Sequence, residues 1–168
     1  MYKHEAIHIN FTTYDMRRKQ DSINVCSHPY VMTLAYEDEE DKNNRHSYWY
    51  AKVLGIFHVN IRLSDSLETE KMDFLWVHWF GRDPDYRGGL EACRLHRVGL
   101  MDPEDPSSYL FLNPSDMLQA IHLIPAFSTG RLASDPEADE DNTDWEFYYV
   151  SMYVFLIFRS HMLTDTRI

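Results

Sequence analysis

Several sequence features that announce a biochemical class are scarce or missing. There are two cysteines, Cys26 and Cys93, and no CxxC or Cys/His spacing of the kind that holds zinc. A disulfide framework is excluded, and two buried or half-buried thiols in a reducing compartment are expected. No apolar run approaches the ~20 residues that a membrane helix requires. The opening MYKHEAIHINF lacks a charged n-region followed by an apolar run, so no secretory leader is expected. An intracellular chain, nuclear or cytoplasmic, is the expectation. Six glycines are too few and too scattered for a phosphate-cradling loop, and neither a Walker A nor a GxGxxG pattern occurs. GxSxG, HExxH and the zinc-deaminase signature are missing too. No cofactor and no metal are expected, and the chain reads as a non-enzyme.

Acidity is present but localised. The formal net charge is −11. Glu37–Asp41 supplies five acids and the stretch Asp135 to Asp144 six more; without them, the remaining acids equal the 16 Lys and Arg. The body is balanced, and the charge belongs to two loops. Such a chain is poorly suited to phosphate backbones, because nucleic-acid affinity rests on Lys and Arg displacing counterions. A basic protein partner, such as a histone tail, fits better.

Aromatics are abundant, 14% of the chain. They concentrate between Tyr48 and Arg82, where YWYAKVLGIFHVNIR is followed by a polar break and MDFLWVHWFGR. Period-two alternation and β-branched residues predict strands over 48–63 and 72–80. Gly55 predicts a bulge or bend in the first. In the second, Phe74, Trp76 and Phe80 point one way and Leu75, Val77 and Trp79 the other, which predicts a central strand covered on both sides. His78, set among aromatics, reads as a hydrogen-bonded core residue. Further strands are expected over 4–14, 28–36, 93–100, 109–112, 120–124 and 145–154, with a loop or single helical turn over 15–24 and one helical turn at 113–116. The sum is a mainly β single domain over 1–154: a barrel or sandwich of six to eight short strands, with little helix and long acidic loops.

Candidate sites follow from these patterns. Trp49, Tyr50, Trp76, Trp79 and Tyr86 cluster around one strand pair and make the candidate ligand-binding set, since aromatic cages hold cationic groups. Arg17, Arg18, Lys19, Arg82, Arg87, Arg94 and Arg97 form the alternative, a nucleic-acid-contacting set. Asp83 and Asp85 flank a proline and read as a turn salt-bridged to Arg82 and Arg87 rather than as a Mg²⁺ pair. His4 and His8 share a strand face but lie ~13 Å apart, too far for a shared metal.

The blocks HINFTTYDMRRKQDSIN, HPYVMTLAYEDEE, YWYAKVLGIFHVNIR, MDFLWVHWFGRDPDYRGG, RLHRVGL, FLNPSDMLQAIHLIPAF and DWEFYYVSMYV resemble, in that order, an uncharacterised C-terminal domain. It ends large transposon-derived proteins of mushroom-forming fungi, of the Plavaka or KDZ transposase kind. The resemblance implies a lineage and no catalytic motif. Where that family tends to read NPRTH, this chain has Asn24-Val25-Cys26-Ser27-His28. After Val154 the resemblance stops at FLIFRSHMLTDTRI, so residues 155–168 are expected to be an atypical tail, of the kind a shifted frame or unspliced intron would encode. YAKVLGIF followed by FLWVHWFGRDPD is similar, more weakly, to bromo-adjacent homology domains, β barrels that bind chromatin or other proteins. Together these imply a non-enzymatic interaction domain. A nucleic-acid-contacting accessory domain, or a structural fragment without independent activity, remain the alternatives.

Overall fold

A computed structural model of the chain describes residues 1–12, 18–35, 48–62, 69–89, 92–132 and 144–151. Eleven strands are defined: β1 (Tyr2–His4), β2 (Ala6–Thr12), β3 (Arg18–Asn24), β4 (Tyr30–Leu34), β5 (Tyr48–Arg62), β6 (Thr69–Arg82), β7 (Arg97–Leu100), β8 (Tyr109–Leu112), β9 (Met117–Ala120), β10 (Leu123–Pro125) and β11 (Tyr148–Val150). The only helical element among the described residues is a 3₁₀ turn at Pro114–Asp116. It begins as expected: Pro114 sits in its first turn, and the Asn113 side chain accepts from the Ser115 N–H at 2.9 Å.

The protein is mainly β, as the alternation predicts, and it forms a curled half-barrel sheet with a small second sheet beside it. The large sheet runs β10-β11-β7-β6-β5-β4-β9, with β1 added to β5 and β8 added to β6; the small one is the β2-β3 hairpin. The strand number exceeds the expected six to eight, for three reasons. The alternation over 4–14 is broken at Glu5, so β1 joins β5 while β2 pairs with β3. The polar run 15–24 holds a strand, because β3 gains its partner in β2 and needs only Ile23 to reach the core. The strand expected over 120–124 is instead two: its first residue ends β9 (Met117–Ala120) on β4, and its last two open β10 (Leu123–Pro125) on β11. Nor are all the strands short: β5 has 15 residues and β6 has 14.

These two long strands form the axis of the fold, antiparallel from Tyr50↔Phe80 to Arg62↔Thr69. Their register slips between Val53 and Gly55, so Leu54 is the extra residue of a bulge. The bulge restores the phase of the pattern: Val53 and Ile56, three apart, belong to the same buried cluster. It also marks a change of neighbours. Before it, β5 pairs with β4; after it, with β1. Likewise β6 pairs with β7 through Phe80–Arg82 and with β8 through Leu75–His78.

One face of the ribbon carries Val31, Ala51, Val53, Ile56, Leu75, Val77 and Trp79. The β2-β3 hairpin closes it with Ile7, Ile9 and Ile23, leaving His8 and Asn10 exposed, which agrees with the alternation. The opposite face carries Met32, Tyr48, Tyr50 and Phe80 and is covered by Val98, Ile121, Leu123, Tyr148 and Val150. β6 is therefore covered on both sides over Val77–Phe80, as its sequence predicts, but not over the earlier part of the expected strand, where Met72 is exposed and Phe74 and Trp76 are half-buried. Both thiols, Cys26 and Cys93, are exposed rather than buried. Cys93 occupies a turn position with a φ of 50°. The two acidic tracts (Asp144 excepted), Arg17 and the tail beyond Ser151 lie outside the described residues.

Candidate functional site: an aromatic stripe on the central ribbon

The face that holds Tyr50 and Phe80 continues past the bulge, and among the described residues its cover does not. Cross-strand pairing carries it through Lys52↔His78, Gly55↔Trp76, Phe57↔Phe74 and Val59↔Met72, and β8 adds Tyr109 and Phe111 beside His78 and Trp76. Phe57 stacks on Phe74 with centroids 5.6 Å apart, and Phe74 meets Phe111 edge-on at 5.3 Å. Trp76 lies 4.9 Å from Phe111 and stacks on Tyr109. Tyr109 in turn stacks on His78 at 4.3 Å. Offset and edge-on arrangements of this kind suit the ring quadrupole. Phe111 is 66% exposed and Met72 50%, while Phe57, Phe74, Trp76 and Tyr109 are half-buried.

A glycine makes the stripe flat. A Cβ on Gly55 would lie 2.7 Å from Cζ of Phe57, so the missing side chain is the space the Phe57 ring fills. His78 anchors the upper end. It is buried, and its Nε2–H donates to the Met101 carbonyl at 2.8 Å, the hydrogen-bonded core role its sequence context predicts. Above it, Lys52 pairs with Asp144 at 2.5 Å, and Asp144 accepts from the Tyr148 hydroxyl at 3.0 Å. Asp144 is the last residue of the second acidic tract and the one residue of it that the structure describes. Burial raises the Tyr148 phenol well above its ordinary range and keeps it a donor.

The five sequence-predicted ligand residues do not form one cage. Trp49 and Trp79 are brought together, edge-on at 5.6 Å, on the hairpin-covered face; Trp49 is 43% exposed and Trp79 is buried. Trp79 Nε1 is buried and has no hydrogen-bond partner among the described residues. Tyr50 is buried on the opposite face, where desolvation raises its phenol. Trp76 alone lies in the stripe. Tyr86 is elsewhere, 5.9 Å from Tyr149 and under the Arg97 guanidinium at 4.3 Å. Phe57, Phe74, Tyr109 and Phe111 were not singled out from sequence. The available signal was the pairing of their strands, which sets Phe57 beside Phe74 and Phe111 beside Trp76.

The basic set is also dispersed. Arg97 is committed within the fold: its Nε–H donates to Asp83 at 2.6 Å, and its guanidinium lies over both Tyr86 and Phe147. Asp83 is buried, and its other oxygen accepts from the Asp85 N–H at 2.9 Å. The Asp-Pro turn is thus salt-bridged, through Arg97 from β7. Arg82, Arg87 and Arg94 are exposed. Arg18 and Lys19 open β3, with side chains outside the description, as is Arg17 altogether. Among the described residues no group of three or more His, Cys, Asp and Glu could hold a metal ion. None of their helices is long and apolar enough to cross a membrane.

Comparisons with family models, with curated proteins and with solved structures find no match for this chain.

Proposed function

We propose that the chain is a non-enzymatic protein-interaction module that takes a basic segment, of the histone-tail kind, across the stripe formed by Phe57, Phe74, Trp76, Tyr109 and Phe111. The observation that carries this reading is the uncovered aromatic ladder. Contiguous exposed apolar surface on a folded domain marks interaction sites, and aromatic faces attract Arg and Lys. The net charge of −11, with an acidic tract ending at Asp144 beside the ladder, favours a cationic partner and speeds its encounter. The resemblances to a transposon-derived fungal domain and to chromatin-binding barrels agree with a nuclear partner. The nucleic-acid reading is weakened by the engagement of Arg97 with Asp83.

The test is a titration of Lys/Arg-rich, charge-neutral and acidic peptides of equal length into the intact chain. The basic peptide is expected to bind, and Trp76→Ala to weaken it at least tenfold while the protein stays folded. Equal binding of all three peptides, or of the basic peptide to both proteins, overturns the reading.

A further inference from the structure

Outside the stripe, two histidines 54 residues apart in sequence meet on the opposite face of the ribbon. β1 pairs with β5 through Tyr2↔His58, Lys3↔Phe57 and His4↔Ile56, so His4 and His58 are diagonal neighbours on one side of the sheet. His4 Nε2 lies 2.5 Å from His58 Nδ1, and the ring centroids are 4.8 Å apart with planes 27° from parallel. With those two distances the nitrogens lie on the line between the ring centres. The imidazoles therefore meet edge to edge, lone pair toward lone pair, rather than face over face. Tyr2 stacks on His58 at 4.7 Å and holds the ring. Both imidazoles are half-buried.

Such a pair shares one proton when both rings are neutral, or both rings offer lone pairs to one cation. We propose that His4 and His58 form a two-imidazole site for a late first-row divalent cation, Zn²⁺ or Cu²⁺, which clasps the N-terminal strand to the central ribbon. Imidazole suits both ions. Zinc takes imidazole nitrogens at ~2.0–2.1 Å, so tetrahedral ligation needs the two nitrogens about 3.4 Å apart. That is an opening of under about an ångström, within reach of side-chain rotation. Water completes the coordination, because no third protein ligand is placed there among the described residues. The groups facing His58 are Tyr2 from β1 and Asp73 from β6, and Asp73 is held by Lys71 at 2.9 Å. Burial first, then Lys71 and His4, lower the basicity of His58. β1 is three residues long and has β5 as its one strand partner among the described residues, so bridging His4 to His58 ties it down.

The experiment is ZnCl₂ titration of the intact chain, with melting temperature and imidazole ¹⁵N shifts as readouts. Zn²⁺ is expected to raise the melting temperature, reversibly with EDTA, and to shift His4 Nε2 and His58 Nδ1 selectively in the unsubstituted protein. His58→Gln and His4→Gln are expected to weaken Zn²⁺ binding at least tenfold, while His8→Gln and His122→Gln leave it unchanged. Cu²⁺ is expected to bind more tightly than Zn²⁺. Shifts at other histidines instead, or an equal thermal response in His58→Gln, overturn the proposal.

Discussion

The two ends of one sheet face, Tyr48–Lys52 with His78–Phe80 at one end and Gly55–Val59 with Met72–Trp76 at the other, are equally aromatic and end in different environments. At the upper end Tyr50 and Phe80 are buried beneath Tyr30, Tyr148 and Leu123. At the lower end Phe57, Phe74, Trp76 and Phe111 pack mainly against one another, and Phe111 faces solvent. The difference arises from distant chain segments: β10 and β11 reach the upper end and stop there, with Lys52 and Asp144 at the boundary. Aromatic content alone does not distinguish core from surface. Connection does.

The largest way to break this comparison is to remove the cover. Tyr148 is buried, packs against Tyr30 and Phe80 at 5.9 and 5.7 Å, and its hydroxyl joins Asp144 and the Trp145 N–H. Tyr148→Ala is expected to cost about 3–5 kcal/mol, the range for truncating a large buried aromatic, read as a lowered urea midpoint. Close behind comes Asp83→Ala. It strands the Arg97 guanidinium between two rings, and breaking a buried pair costs about 3–5 kcal/mol; the lower end of that range applies, because Arg97 keeps some solvent access. A urea midpoint within error of the parent protein would show the turn to be held by other contacts.

Gly55→Ala sharpens the comparison at the lower end. The new methyl displaces the Phe57 ring at a cost of about 1–3 kcal/mol by overpacking. It is expected to lower the urea midpoint modestly and to disperse the aromatic NMR signals of the stripe, leaving those of Tyr50 and Tyr148 unmoved. The smallest effect concerns pH. Burial, and secondarily Arg82, hold the His96 imidazole below its ordinary value of 6.5. The unfolded chain therefore takes up the proton first as pH falls, so this contribution is present above pH 6.5 and is lost on acidification below it. The slope of stability between pH 7 and 5 is expected to flatten in His96→Gln. An unchanged slope removes His96 as its source.

Much of the fold was legible because local pattern and tertiary context agree. Ile7, Ile9, Leu75, Val77 and Trp79 face the core their alternation predicts, and the bulge lies at Leu54–Gly55. β3 was illegible because its residues are polar: it is a strand by virtue of its partner, with Gln20 hydrogen-bonded to Asn10 across the hairpin at 3.0 Å. The site was only partly legible. Trp76 was singled out for being a tryptophan in a dense segment, but the same criterion selected the buried Tyr50 and Trp79. Phe111 was missed because it pairs with Trp76 of β6 from 35 residues downstream, and no local signal encodes that pairing. His4 was weighed against His8, which shares its local alternation, whereas its neighbour in space is His58 on another strand.

The central claim is that this sheet face passes from core to open surface at Lys52 and His78. The most direct test is the urea midpoint of Phe80→Ala beside that of Phe111→Ala, measured under identical conditions. Phe80→Ala is expected to lose about 3–5 kcal/mol, as buried aromatic truncations do, and Phe111→Ala no more than about 1 kcal/mol, as for an exposed side chain. Comparable losses from the two would show Phe111 to be part of the core and would contradict the account.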